Sequence, residues 1–311
     1  MKKIKVNIFK DKTILVTGGT GSIGSEIVRQ LLVYKPKQIR IYSRDEWKHF
    51  VFEQELKSIN SEVNVKFLIG DIRDINRLNE VMTDVDIVFH AAGIKHLTYA
   101  EDNPYEAIKT NVIGTQNLVD TCLSHNVERV IAISTDKAVY PHCIMGTTKH
   151  LMERLIIGNH HFFTHAKTIF SVVRFGNVLN SRGSVIPTWV EQIKKGDSIT
   201  ITNPLMNRYF LSIPEAVSLV FSAARLAIGR EIFVLKMPKI NIGDLAKETI
   251  KKYGCGKNIS IKIIGSHERE KVDESLFTDE ETKLIVEEKE LYIVLPNQII
   301  FDERKDSYKS N

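Results

Sequence analysis

Three consecutive side chains, Thr135, Asp136 and Lys137, follow the apolar run RVIAIS and open the stretch STDKAVYPHCIMGTTK. A hydroxyl, a carboxyl and an amine side by side are equipped to orient an oxygen, give a proton and take one. Lys149 closes the same stretch, and the residue four before it, Met145, has no proton to exchange. The methionine therefore reads as packing, and the proton traffic falls to the TDK triplet. Tyr140 stands nine residues before Lys149, the wrong spacing to substitute for a residue at 145. Elsewhere, His161 and His165 in NHHFFTH are four apart, a chelating spacing on a helix, but no third ligand lies nearby. No metal is expected there, only polar surface.

The second constellation is TGGTGSIGSE, with Gly18, Gly21 and Gly24 at three-residue spacing and a GxGxxG reading through Gly19. It follows an apolar strand-like run and opens a helix-like one. That context points to a dinucleotide: glycines permit the tight turn, and backbone N–H groups around Thr20, Ser22 and Ile23 meet the pyrophosphate at a helix N-terminus. The end of the next apolar run selects the cofactor. YSRDEWK brings Ser43 and Arg44, with Lys48 close behind, where an NAD site has an acid for the ribose 2′-hydroxyl. A guanidinium and a hydroxyl suit a 2′-phosphate, so NADP is expected, with Asp45 the residue that would serve NAD instead. Asp71 and Ile72 in GDIRD are expected beside the adenine. Ala91, Ala92 and Lys95 in HAAGIKH are expected under the ribose and diphosphate, Lys95 being equally readable as a solvated surface lysine.

Hydrophobic periodicity supplies the elements that position these groups. KTILVTGG reads as a strand into a glycine turn, and SIGSEIVRQLLVY as a helix with Ile23, Ile27, Leu31 and Leu32 on one face. QIRIYS, VKFLIGDI, DIVFHAAG, RVIAIST and TIFSVVRFGN read as further strands. NPYEAIKTNVIGTQNLVDTCLSH reads as one long helix and TTKHLMERLII as another. Strands alternating with helices of this length predict an α/β chain with a doubly wound parallel sheet covered on both faces. After Asn177 the pattern changes. VLNSRGSVIP reads as loop, ITITNP as a short strand and turn, and SIPEAVSLVFSAARLA as a helix with proline in its first turn. EIFVLKMPKINIGDLAKETIKKYG reads as a return strand and a helix, and KLIVEEKELYIVLPN as a hairpin. The expected division is a dinucleotide-binding domain over 1–176 and a mainly substrate-binding region over 177–311, of which about 213–238 returns to the first domain.

Composition narrows the class. With 43% hydrophobic and 26% charged residues among 311, the chain is an ordinary globular one. A net charge of +5 is compatible with anionic small substrates, and without a basic block it gives no reason to expect nucleic acid. No apolar run approaches the roughly 20 residues of a membrane span, and MKKIKVNIFK lacks a signal peptide's apolar core. Cys122, Cys143 and Cys255 are isolated, which fits a reducing, cytoplasmic setting.

At these motifs the chain resembles the extended short-chain dehydrogenase/reductase family, with its Rossmann-type sheet. Within it, the chain is most similar to the C5-inverting UDP-N-acetylglucosamine 4,6-dehydratases of capsule and flagellin-glycan pathways. GGTGSIGSE, YSRDE, GDIRD, HAAGIKHLTYAEDNPYEAIKTNVIGTQN, STDKAVYP, MGTTK and RFGNVLNSRGSVIP carry the likeness over most of residues 13–187. The capsule-type branch has methionine where other members have tyrosine, so Met145 is a subtype mark.

The resemblance implies a hydro-lyase reaction. C4 of the sugar is oxidised transiently, which makes the C5 proton acidic, and water leaves across C5 and C6 with no net redox change. Thr135 would then hold the C4 oxygen, Asp136 act as acid at C6 and Lys137 as base at C5, with Lys149 on the nicotinamide ribose. For that role the Lys137 pKa is expected to fall from about 10.4 to about 7–8, under burial, Lys149 and the nicotinium charge. The C4 hydroxyl proton would go to Lys137 itself or through Thr135. Asn177 and the loop of Gly183, Ser184 and Val185 resemble nucleotide-sugar contacts. Arg208 would fork onto the UDP diphosphate, and Thr200 and Thr202 would line the uracil. EKVDESL resembles the family's C-terminal GEK…E.L block, whose approach is altered here to SHEREK, with His267 at the arginine position and Arg269 replacing the glycine, leaving Arg269 and Glu270 as contacts in a shifted loop. Homo-oligomers, commonly dimers or hexamers, are implied. A C5-retaining dehydratase, a C4-epimerase and a silent NADP(H)-binding regulator are the alternative functions.

Overall fold

The computed structural model describes residues 7–59, 61–158, 167–181, 183–256, 258–265 and 268–308. His161, His165 and His267 lie outside these described residues. Through the first half run β1 (Thr13–Thr17), α1 (Ser22–Leu32), β2 (Gln38–Ser43), α2 (Glu46–Ser58), β3 (Asn64–Ile69), α3 (Ile75–Met82) and β4 (Ile87–His90). After these come α4 (Leu97–Asp102), α5 (Pro104–Ile108), α6 (Gly114–Ser124), β5 (Arg129–Thr135), α7 (Ile144–Gly158) and β6 (Ile169–Phe175). The second half holds β7 (Asn177–Val178), α8 (Val185–Lys195), β8 (Ile199–Ile201), β9 (Asn207–Leu211), α9 (Ile213–Leu226), β10 (Ile232–Leu235), β11 (Lys239–Asn241) and α10 (Ile242–Tyr253). It ends with β12 (Ile261–Ile263), β13 (Ile285–Glu287), β14 (Leu291–Val294) and α11 (Gln298–Tyr308).

The main sheet has nine strands in the order β13-β14-β10-β6-β5-β4-β1-β2-β3. From β3 to β10 every pairing is parallel, and β14 and β13 add an antiparallel edge. The strand order reverses between β1 and β4, the switch point at which doubly wound sheets open a ligand crevice at their carboxyl ends. Both faces are covered because successive apolar residues of the central strands point to opposite sides. Ile14, Val16, Ile87, Phe89, Ile131 and Ile133 enter one apolar layer, while Leu15, Val88, Val130 and Ala132 enter the other. The expected fold class is thus the observed one. Among the described residues no helix is long and apolar enough to cross a membrane, and no cluster of three metal-ligating side chains occurs.

Three details differ from the sequence reading. The long helix read over 103–125 is interrupted by a π turn at Lys109–Ile113, between α5 and α6. The stretch read as loop up to Pro187 already contains β7 and the first turn of α8. Proline is tolerated there because first-turn N–H groups have no partner inside the helix. The C-terminal return is also wider than 213–238. Besides α9 and β10, strands β13 and β14 join the main sheet, and Tyr308 of α11 is buried in its core. What stays outside is a small body of α8, α10 and short strands packed around Trp189, Ile193, Ile201 and Leu245.

A buried ion cluster ties three distant segments together. Arg174 on β6 bonds Glu153 of α7 at 2.7 Å, Glu281 at 2.9 Å and the Leu276 carbonyl at 2.8 Å. Arg174→Met would strand two carboxylates away from water. Urea unfolding at unchanged slope should show a loss of about 3–5 kcal/mol; a loss below about 1 kcal/mol would mean that the cluster is not holding these segments.

Candidate active site

A cleft of about 710 Å³ opens at the carboxyl ends of β1, β2 and β4. Gly18 turns with φ of +64°, and a Cβ there would sit 2.7 Å from the Ala91 backbone. Gly24 lies so close under the Gly18 carbonyl that any side chain would collide with it. Gly21 caps α1 without a side chain, which leaves first-turn N–H groups facing the cleft. This cradle accommodates a pyrophosphate. Of the residues assigned to the dinucleotide, Gly18, Thr20, Gly21, Ser22, Ser43, Arg44, Asp71, Ile72, Ala91, Ala92 and Lys95 line the cleft. Ile23, Gly24 and Lys149 do not: Ile23 packs on the core, Gly24 backs onto the Gly18 turn, and Lys149 is turned to the Ile133 carbonyl.

The selecting end of β2 is specific in its hydrogen bonding. Ser43 Oγ lies 2.9 Å from Thr20 Oγ1 and 2.7 Å from His49 Nε2. Asp45 caps α2, accepting from the Lys48 N–H at 3.0 Å and pairing with its ammonium. Lys48 holds the Asp45 carboxyl below its usual range. Arg44 is 58% exposed at the cleft, with Nη1 3.5 Å from Asp71, whose carboxylate is otherwise taken by Arg73. Thr110, in the π turn, lines the same cleft with a buried Oγ1 that has no hydrogen-bond partner.

At the tip of β5 the backbone makes a 3-10 turn over Asp136–Ala138. Asp136 is fully buried. Its Oδ1 accepts from Thr135 Oγ1 at 2.9 Å and from Lys137 Nζ at 3.0 Å, while Oδ2 has no hydrogen-bond partner among the described residues. Lys137 also donates to Asn177 Oδ1 at 3.2 Å and stands 3.7 Å from Glu274. Thr135, Asp136, Lys137 and Asn177 thus form one constellation. The expected fall in the Lys137 pKa does not occur. Burial does pull it down, but Asp136 and Glu274 together outweigh burial and Arg208, and the amine ends above its ordinary value. The depressed lysine is Lys149. Burial, opposed only by Glu153, brings it to about 8, and a Cβ on cleft residue Gly93 would lie 3.1 Å from its Nζ.

Met145 is buried with Ala100, Ala107 and Cys143 in a small apolar cluster.

The proposed substrate contacts divide. Gly183 lines the cleft against His96. Ser184 is the N-cap residue of α8, its buried hydroxyl unpartnered, and Val185 begins that helix. Thr200 is occupied internally. Its hydroxyl accepts from Gln192 at 3.0 Å and its carbonyl from the Trp189 indole at 2.6 Å, so it fastens α8 to β8. Thr202 points to the Met206 sulfur. Arg208 is not an open fork. It is only 3% exposed and donates to the carbonyls of Asn207, Lys271 and Val272 and to Glu270, which clamps the 270–272 segment. Arg269 is 61% exposed and pairs with Glu101.

Sequence reasoning passed over Asn111 and Glu274. Asn111 accepts from Ile94 N–H at 2.8 Å and donates to the Ile94 carbonyl and Thr148, which locks the β4 loop to α7. Its signal was a polar residue on the inner side of an amphipathic stretch. Glu274 lies in EKVDESL, the stretch that resembles the family's C-terminal block, but nothing local gives it a role, because its significance is a contact with residues far away in the chain.

Because Met145 only fills space, Met145→Leu, a volume-conserving swap, should cost less than about 1.5 kcal/mol of stability. Turnover should remain within a few-fold of the parent; a collapse of activity with intact thermal melting would give the thioether a chemical role.

Residues 14–296 match the family described as polysaccharide biosynthesis protein. An uncharacterized membrane protein of Methanocaldococcus jannaschii is 50% identical over 96% of this chain and 92% of its own length. The inverting UDP-N-acetylglucosamine 4,6-dehydratase of Campylobacter jejuni is 40% identical over 96% and 87%. UDP-glucose 4-epimerase of Rickettsia bellii is 42% identical over 88% and 80%. Among solved structures, Pen from Bacillus thuringiensis superposes with a TM-score of 0.89, at 39% identity over 94% of this chain and 89% of that one. With the family matched along most of its length, on a sheet of Rossmann order, the chain belongs to the polysaccharide biosynthesis protein family.

Proposed function

We propose that the protein is a nucleotide-sugar 4,6-dehydratase that takes UDP-N-acetylglucosamine, uses NADP and inverts C5. The observation that carries the proposal is the buried Thr135–Asp136–Lys137 constellation at the tip of β5, with an inert methionine at 145. The 40% identity to the inverting dehydratase of Campylobacter jejuni supports it. When bound, the nicotinamide supplies reversible oxidation at C4, which makes the neighbouring C5 proton removable. The chain's residues do the rest. Thr135 orients the C4 oxygen and relays its hydroxyl proton outward; Lys137 regains a proton from solvent after returning its own to C5. Lys137 rests as an ammonium against Asp136, and moving one proton across their 3.0 Å contact leaves a neutral amine beside a neutral acid. That pair is what the elimination needs: the amine takes the C5 proton and the acid gives one to the departing C6 hydroxyl. A raised Lys137 pKa is therefore no obstacle, since the base is generated by transfer to its neighbour. Lys149, whose Nζ lies close behind cleft residue Gly93, would have to turn from the Ile133 carbonyl to meet the nicotinamide ribose. We place the enzyme in the cytoplasm as a homo-oligomer with no nucleic-acid or membrane partner.

A second reading, C4-epimerase, is favoured by the 42% identity to UDP-glucose 4-epimerase. The two part on product mass. Dehydration lowers the mass by one water and epimerisation leaves it unchanged.

Purified protein incubated with UDP-N-acetylglucosamine should form a 4-keto, 6-deoxy product of L-arabino configuration by NMR. Lys137→Ala should retain the cofactor and lose at least about 100-fold in turnover; near-parental turnover would remove Lys137 from the chemistry. At the β2 end, Arg44→Ala should weaken NADP binding by about tenfold or more while leaving NAD within about threefold. Titration calorimetry reads both, and equal losses would place no 2′-phosphate at Arg44.

A further inference from the structure

The scheme above leaves one carboxylate of the constellation unused. Glu274 comes from the C-terminal segment and is buried. Its Oε1 is 3.7 Å from Lys137 Nζ and its Oε2 is 3.9 Å from Lys271 Nζ. Neither is a hydrogen-bonding distance, and Oε2 has no hydrogen-bond partner among the described residues. A carboxylate so placed is costly to fold around. The segment is nonetheless fastened to the catalytic loop on both sides of it. Lys271 Nζ donates to the Val139 carbonyl at 2.7 Å and Asp279 N–H to the Tyr140 hydroxyl at 2.7 Å. Arg208 holds the Lys271 and Val272 carbonyls, and Arg174 holds the Leu276 carbonyl and Glu281. The fold, and not its own ion pairs, puts Glu274 beside Lys137.

We propose that Glu274 is a positioning residue: it keeps Lys137 charged and within reach of Asp136, and so sets the pH up to which the pair keeps the proton that the elimination needs. The inference rests on the dehydratase reading. The groups facing Lys137 are Asp136 on its own turn, Asn177 on β7, Arg208 on β9 and Glu274, with Cys143 near the start of α7. Glu274 itself also faces Lys271. Burial and Arg208 push against protonation of Lys137, the two carboxylates push for it, and the carboxylates prevail. Taking one away reverses much of that balance.

The test is the pH profile of kcat/KM for UDP-N-acetylglucosamine with the full chain and its cofactor. The reacting form holds one proton on the Asp136–Lys137 pair, so activity falls at high pH as that proton is lost. Glu274→Gln removes the charge and keeps the shape, so the fall should come at a pH lower by about one unit or more. Glu274→Asp withdraws the carboxylate by one methylene and should shift the profile the same way by less; it also serves if the Gln variant does not fold. A glutamate that only supports the fold would lower kcat at every pH without moving the profile, and an unmoved profile in the folded variants overturns the proposal. The same displacement is read without turnover as the pH dependence of Lys137 acetylation by acetic anhydride, followed by mass spectrometry. If the acetylation profile shifts while Lys137→Ala remains active, the base assignment fails and the positioning contact stands. If Lys137→Ala is inactive and neither profile shifts, only the role of Glu274 falls.

Discussion

Taking an ammonium and two carboxylates out of water at the end of one strand is the demand around which the rest of the molecule is arranged. Asp136 is fully buried, and such a group is tolerable only when its charge is met and its lone pairs are used. Thr135 and Lys137 meet one oxygen from the same turn, but Lys137 then needs partners of its own. Those come from β7, through Asn177, and from the C-terminal segment, through Glu274. A chain that stopped at the end of β6 would leave Lys137 with Asp136 alone. The interleaving of the two halves, with β10, β14 and β13 added to the first domain's sheet, is therefore also a condition for the site.

The same logic recurs one layer deeper. Arg174 stands beside Ser134 in the sheet register, and it pins α7 through Glu153 and the C-terminal segment through Glu281. One guanidinium thus relates the helix that carries Lys149 to the segment that carries Glu274. Arg208 does comparable work from the small body, where its donors hold the 270–272 backbone. The fork that looked free to bind a ligand is committed to building the wall of the site.

Two buried lysines are tuned in opposite senses, and burial explains only one of them. Both lose water. Lys149 has Glu153 as its only opposing charge and falls to about 8. Lys137 has Asp136 and Glu274 and rises. The difference lies in how many carboxylates the fold brings within about 4 Å, a property of tertiary packing. An ammonium held beside a buried carboxylate is a different arrangement from a lysine whose charge is disfavoured by desolvation.

What the chain's residues determined unaided was local. The glycine turn at 18–24 was legible because only glycine fits where backbone meets backbone. The strands β1, β4 and β5 were legible because largely apolar runs of that length have to be covered on both faces. The TDK triplet was legible because its three groups are neighbours in sequence. Helix α8 was obscured by a loop-like approach and a first-turn proline, and the π turn by an otherwise unbroken helical period. Only the tertiary structure decided that Thr200 braces a helix, that Arg208 clamps a backbone, and that a glutamate from the C-terminal segment faces Lys137. Periodicity and side-chain type report what a residue prefers within a turn or two. The protonation of a buried amine depends on charges delivered across the whole chain, and those are known only once the chain has closed.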